Sequence, residues 1–194
     1  MGGNDGASFL SPSRMNPPEG FRYRDEVLTP EEERAYIAQF AALPFKPFEF
    51  HGYLGKRRVA SFGWRYDYAG RTVRQSQPLP EFLLPLRERA ADFAGVPVEH
   101  LQQALVTEYE SGAPIGWHRD KPEFGDVIAF SFLSPARLRL RRRRDTRWER
   151  WAIEVQPRSA YLLRGLVRHD WEHSIPPVEA LRYSVTFRTL RDER

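Results

Sequence analysis

From residue 103 to residue 190 the chain is cut by Pro and Gly into six β-prone stretches, at 103–109, 126–133, 137–144, 148–155, 159–164 and 183–190. The third contains Arg137-Leu138-Arg139-Leu140-Arg141, a strict alternation that sends the leucines to one face and the arginines to the other. Two helical segments come before this run. Thr29-Pro30-Glu31-Glu32 combines a capping hydroxyl, a proline suited to the first helical position and carboxylates at the positive end of the dipole, so a helix is expected from there to about residue 42. A second is expected over 80–94, where Phe82, Leu83, Leu86 and Ala90 recur at helical spacing and Gly95-Val96-Pro97 closes it. Between the helices, 45–73 reads as hairpins: short β pieces separated by His51-Gly52, Gly55 and Gly63, ending in the aromatic run 62–68. Helices first and antiparallel strands afterwards predict an α+β chain whose second half is a sandwich or barrel.

With 194 residues, 41% hydrophobic and 29% charged, the chain has the balance of a globular protein of one domain, expected over 19–194. Residues 1–18, rich in Gly, Ser, Asn and Pro, are expected to be a flexible leader. The absence of cysteine excludes disulfides, Cys-ligated metals and thiol nucleophiles. No apolar run approaches the ~20 residues of a membrane span, and Met1-Gly2-Gly3-Asn4-Asp5 lacks the features of a signal peptide, so a cytoplasmic protein without a membrane partner is expected. The net charge of +4 decides little, but residues 137–150 hold eight arginines against Asp145 and Glu149. That cluster reads either as a solvated strand face or as a surface for phosphates, and the two are compatible.

The chemistry is concentrated in Ile115-Gly116-Trp117-His118-Arg119-Asp120, in His173, and in the stretch from Arg182 to Arg188. In an extended segment residues two apart point the same way, so His118 and Asp120 can present an imidazole and a carboxylate to one metal ion, with His173 as third ligand. Two histidines and a carboxylate leave octahedral positions open, as in non-haem Fe(II) oxygenases. Arg182 and Arg188, six apart on a strand, share a face, and an inward guanidinium needs an acidic partner or ligand. His169 competes with His173, but a long helix carrying both is disfavoured by Pro176-Pro177, and His173 is preferred. His51 and His100 have no partners in the sequence.

In that order, His118-Arg119-Asp120, His173-Ser174-Ile175-Pro176 and Arg182-Tyr183-Ser184-Val185-Thr186-Phe187-Arg188 resemble the signature of the AlkB family of Fe(II)/2-oxoglutarate dioxygenases, over residues 58–188. The resemblance implies a double-stranded β-helix (jelly-roll) core with N-terminal helices and a β-hairpin lid. It implies His118, Asp120 and His173 as metal ligands and Fe(II), 2-oxoglutarate and O2 as cofactor and cosubstrates. Arg182 corresponds to the arginine that binds the distal carboxylate of 2-oxoglutarate, and Arg188 lies near cosubstrate and substrate. Tyr109 matches a hydrogen-bond donor to 2-oxoglutarate, while Thr107 and Ser184 replace family asparagines at cosubstrate contacts.

Members of the family oxidise methyl groups on nucleobases, and the implied function is oxidative demethylation of alkylated bases in single-stranded DNA or RNA by a monomer. Such chemistry requires a base drawn into a pocket where rings stack on it. The run 62–68 resembles the family's recognition lid, and alternation puts Trp64, Tyr66 and Tyr68 on one face. Glu123 stands close to where some members carry a base-contacting acid. Arg119, between the metal ligands, would point from the metal toward a phosphate, with Arg57, Arg58, Arg65 and the 137–150 cluster as further phosphate contacts near the site. The alternatives are a dioxygenase acting on a small molecule or protein, and a non-catalytic nucleic-acid-binding module.

Overall fold

Thr29 and Glu32 form a reciprocal capping box, the Thr29 hydroxyl accepting from the Glu32 amide and the Glu32 carboxylate from the Thr29 amide. The computed structural model, which describes residues 16–191 apart from 51, 52, 68, 69 and 71, starts helix α1 (Pro30–Phe40) there. The second expected helix begins with a 3-10 turn, Glu81–Leu83, and continues as α2 (Leu84–Ala94). Gly95 ends it in the left-handed region, φ +66°, where its amide and that of Val96 return to the Ala91 carbonyl.

The strands are β1 (Phe21–Arg24), β2 (Lys46–Phe50), β3 (Tyr53–Asp67), β4 (Thr72–Gln75), β5 (Leu101–Tyr109), β6 (Ile115–His118), β7 (Phe124–Phe132), β8 (Ala136–Arg144), β9 (Arg147–Val155), β10 (Ala160–Leu163), β11 (Glu172–Ile175) and β12 (Arg182–Leu190). A short helix, α3 (Leu166–His169), precedes β11. The larger sheet runs β1-β10-β7-β12-β5-β3-β2, with β4 attached to β3, and the smaller runs β6-β11-β8-β9. Every pairing is antiparallel. Strands β5 to β12 pass back and forth between the two sheets, which is the double-stranded β-helix of a jelly roll.

The larger sheet buries both faces. On one, Val106, Phe130, Phe132, Val185 and Phe187 meet Phe40 of α1 and Leu86, Ala90 and Phe93 of α2. On the other, Tyr109, Val127, Ala129, Tyr161 and Leu163 meet Leu138, Leu140 and Trp151 of the smaller sheet. The alternation read from 137–141 holds: Leu138 and Leu140 are buried, and Arg137, Arg139 and Arg141 stand on the opposite face.

Two expectations need correction. Gly55 and Gly63 do not divide β3, which is continuous over 15 residues. Gly63 redirects it: residues before it pair with β5 and those after it with β4. A Cβ there would lie 2.1 Å from the Gln102 carbonyl oxygen, and φ is +74°, so only glycine fits the turn. The six-strand reading also omitted β6 and β11. Of the expected leader, residues 1–15 lie outside the described residues, and Pro18 is buried, its carbonyl accepting from the Phe21 amide.

Candidate active site

His118 ends β6, and in the antiparallel register it stands opposite His173 of β11. The two rings lie 4.2 Å apart between centroids. Asp120 is not on the strand with His118, as the two-residue spacing suggested, but in the turn just after it. What brings its carboxylate to the histidines is Arg188 from β12, whose Nε and Nη2 both donate to Oδ1, at 3.0 and 2.7 Å. That leaves Oδ2 buried without a hydrogen-bond partner, 3.7 Å from His173 Nε2.

The protonation states favour a cation at this point. The His118 Nδ1 donates to the Gly116 carbonyl at 2.9 Å, which leaves Nε2 as the ring nitrogen available to a metal. Burial, with the His118 ring beside it, lowers the His173 pKa to about 3 against the pull of Asp120, so His173 is neutral near pH 7 and its approach to Asp120 is not an ion pair. Burial alone would raise the Asp120 carboxyl, but the Arg188 guanidinium in contact with it holds it well below the usual carboxylate range. One buried carboxylate oxygen with no donor and two imidazoles face to face across the strand pair form a donor set suited to a divalent ion. The 3.7 Å approach is within the roughly 4.2 Å that two ligand atoms about 2.1 Å from one ion can span. Lone pairs on three donors repel unless a cation stands among them, and among the described residues no three such side chains have their donors converged in ligating geometry. The triad is gathered rather than closed.

Beside it, on the same face of β12, Arg182 is 0% exposed. Its Nη2 donates to Ser131 Oγ at 3.0 Å, while Nε and Nη1 have no partner. Its guanidinium lies 4.8 Å from the centre of the Tyr109 ring, its cross-strand neighbour. Ser184 and Thr107, the next inward pair, are directly opposed and buried. A buried guanidinium with two unused donors is costly unless a ligand supplies acceptors, and a carboxylate supplies two in the matching plane. Tyr161 of β10 completes this wall, its phenol pushed up by burial against the opposing charge of Arg182.

The structure distributes the other expected residues unevenly. Arg188 is engaged by protein, holding Asp120 and, through Nη1, Gln103 Oε1 at 2.7 Å, rather than open to a cosubstrate. Arg119 is exposed, just beyond the end of β6. Glu123 lies in the same turn as Asp120, with Oε2 buried and unpartnered. Trp64 and Tyr66 fall on one face of the β3–β4 hairpin, and the Tyr66 ring is 4.7 Å from Lys121 Nζ, which brings the hairpin onto the Asp120 turn. Tyr68 and His51 lie outside the described residues. His169 is exposed and faces Arg191, away from the triad, and His100 is exposed. The 137–150 cluster does not lie together near the site: Arg137, Arg139, Arg141 and Arg143 on β8 stand on the outer face of the smaller sheet, because alternation gives the inner face to Leu138 and Leu140, while Arg142 shares the parity of the leucines and pairs with Glu149.

Sequence reasoning missed Arg168. It is 4% exposed and donates to the carbonyls of Asp120, Lys121, Phe124 and Gly125, at 3.3, 2.7, 2.7 and 2.8 Å. It fixes the turn that carries Asp120 and Glu123. Its one visible signal was adjacency to His169, which pointed to a different role.

The sequence model of the 2OG-Fe(II) oxygenase superfamily matches residues 24–188. The Arabidopsis thaliana alkylated DNA repair protein ALKBH8 homolog is 30% identical over 191 residues, covering 86% of this chain and 53% of that protein, so the chain spans about half the length of this curated relative. The solved structure of OsALKBH1 superposes with a TM-score of 0.62 at 18% identity, over 93% of this chain and 98% of that one, a likeness of fold. With donors for a divalent ion and an unsatisfied arginine for a carboxylate in one jelly roll, the chain belongs to the 2OG-Fe(II) oxygenase superfamily, whose chemistry uses Fe(II) as cofactor and 2-oxoglutarate and O2 as cosubstrates, and it is similar to AlkB-type proteins within it.

Proposed function

We propose that this protein removes methyl groups from ring nitrogens of nucleobases in single-stranded DNA or RNA, and that residues 19–194 act as one catalytic domain. His118, Asp120 and His173 hold Fe(II). Arg182 receives the distal carboxylate of 2-oxoglutarate, with Tyr109, Thr107 and Ser184 lining the cosubstrate. The observation that carries the reading is Arg182: a fully buried guanidinium with two unpaired donors on the β12 face whose Arg188 holds Asp120 with one carboxylate oxygen equally unpaired. Nucleic acid as substrate is supported by the aromatic hairpin against the Asp120 turn and by the likeness to an alkylated DNA repair protein.

Bound iron with 2-oxoglutarate and O2 supplies the oxidising power to place one oxygen atom in a C–H bond, the other leaving in succinate as CO2 is lost. The hydroxymethyl product collapses to formaldehyde and an N–H base. The chain's own part is placement. Arg188 holds Asp120 by Oδ1 so that Oδ2 stays free, Arg168 fixes the turn, and the Gly116 carbonyl sets the His118 tautomer. Trp64 and Tyr66 offer ring faces to an extruded base, each stack worth about 1–3 kcal/mol.

The test is mass spectrometry of short DNA and RNA strands carrying 1-methyladenine, incubated with the protein, Fe(II), ascorbate and 2-oxoglutarate, with succinate followed in parallel. Loss of ~14 mass units per lesion, dependent on the protein, is expected. His118→Ala should abolish both products. Succinate without demethylation would overturn the nucleobase reading and point to a small-molecule or protein substrate.

A further inference from the structure

The outer face of the smaller sheet carries an excess of positive charge, only part of it compensated. Along β8, Arg137, Arg139, Arg141 and Arg143 project from it at intervals of about 6.8 Å, a line of charge roughly 20 Å long. The β9 register adds Arg150 opposite Arg141 and the small Ala152 opposite Arg139. Where Ala152 leaves room, a groove of about 320 Å³ opens, lined by Trp117, Arg137, Arg139, Arg150 and Ala152 over Leu140 and Trp151. Among the described residues no acidic side chain lines it.

Neighbouring arginines show what compensation looks like. Arg141 is paired with Glu172 and Arg142 with Glu149, at 2.7 and 2.6 Å. Glu154, directly opposite Arg137 in the β8–β9 register, accepts from Gln156 and makes no ion pair with Arg137 within 4.0 Å. Arg139 donates to the neutral Ser174 hydroxyl, and Arg137 and Arg150 make no hydrogen bond or ion pair with a described residue. Indole rings hold the guanidinium planes: Trp117 lies 5.0 Å from Arg139 and 4.3 Å from Arg141, and Trp148 lies 4.4 Å from Arg141. A guanidinium resting its face on a ring turns its N–H edge outward, the orientation for bidentate contact with a phosphate. A line of such groups matches a linear polyanion better than a single phosphate does.

Trp117 precedes His118 and Ser174 follows His173, so strand alternation puts the groove and the metal triad on opposite faces of one sheet. The nucleotide in the groove is therefore not the one that reacts. We propose that Arg137, Arg139 and Arg150 form a second site, which binds the phosphodiester backbone of a single-stranded nucleic acid remote from the reacting base. The identity of the polymer rests on the function proposed above. The second contact raises the effective concentration of long strands at the active site and leaves very short ones unaffected.

The experiment measures binding of an unmodified oligothymidine of about 30 nucleotides to the full chain across a salt series, beside succinate formation on a methylated trinucleotide. Replacing the three arginines by Glu (R137E/R139E/R150E) should weaken the long strand at least about tenfold and lower the slope of log K against log salt by about 2, three contacts at about 0.7 each. Trinucleotide turnover should be unchanged. R137Q/R150Q, at two exposed positions, should lower the slope by about 1.4 and serves if the triple variant does not fold. Undiminished affinity and slope in a folded variant overturns the site, as does polyglutamate competing as well as oligothymidine of equal charge. Loss of long-strand binding in a chain that never demethylates keeps this inference and removes the demethylase reading; demethylation with unaltered long-strand binding in the variants does the reverse.

Discussion

Arg168 shows how much can hang on one side chain without chemistry of its own. Five guanidinium N–H groups in a rigid fork let it satisfy four carbonyls of a tight turn, which an ammonium on a flexible stem cannot reproduce. Replacing it by Lys or Met leaves buried carbonyls unpaired, each costing about 1–3 kcal/mol before relaxation. The turn, and Asp120 with it, then loses its fixed position. On the proposed ligand assignment, Arg168→Lys raises the Fe(II) concentration for half-maximal succinate formation by about 10–100-fold and lowers the rate at saturating iron much less. An unchanged iron requirement would show that Arg188 alone holds the carboxylate. Arg188 itself illustrates why a motif residue can be found and its task misread: an even spacing says which face it is on, and only the fold shows that the nearest acceptor there is Asp120.

Among the elements, α1 is packed on the larger sheet through Phe40 and Tyr36 and tied by charge at its first turn. Glu32 caps the helix through the Thr29 amide and also receives both terminal nitrogens of Arg89 from α2, at 2.7 and 3.0 Å. Arg89, with the Thr29 amide, lowers its carboxyl from the ordinary value of 4.5. A carboxyl whose folded pKa is depressed stabilises the fold above its unfolded value and loses that contribution as pH falls through the folded one. Glu32→Gln should therefore lower stability by about 1 kcal/mol at pH 7, with the gap to the parent closing below about pH 4 in urea titrations. A gap that persists in acid would assign the loss to packing. The hairpin of β3 and β4 depends on Gly63 in the same local way: the strand leaves the main sheet where a side chain would strike the Gln102 carbonyl.

For the whole molecule, the charged layer between the two sheets is a stability deficit held for binding. A buried guanidinium with two unpaired donors destabilises the ligand-free fold, and an apolar replacement of similar volume is commonly neutral or stabilising. Arg182→Met should leave the ligand-free melting temperature equal or higher. In the parent, Mn(II) with 2-oxoglutarate at about 100 times its Kd adds about 2.7 kcal/mol, a rise of roughly 5–10 °C in a thermal melt, and the variant should lose the part due to 2-oxoglutarate. An equal rise in both would remove Arg182 from the cosubstrate site. The sequence by itself determined what is written in local period and local chemistry: the capped helices, the alternating strands, the two-layer class, and which side chains are candidates for a metal and a carboxylate. It did not determine that β6 and β11 are strands, since four residues are too few for alternation to register and each exists through pairing with distant partners. Nor did it determine the grip of Arg168 on the Asp120 turn, the clamp of Arg188 on the carboxylate, or the side of the sheet on which the arginine cluster stands relative to the triad. Those depend on contacts between residues 31 to 85 positions apart or on which sheet face becomes the interior, and the chain settles both only when the two sheets close on each other.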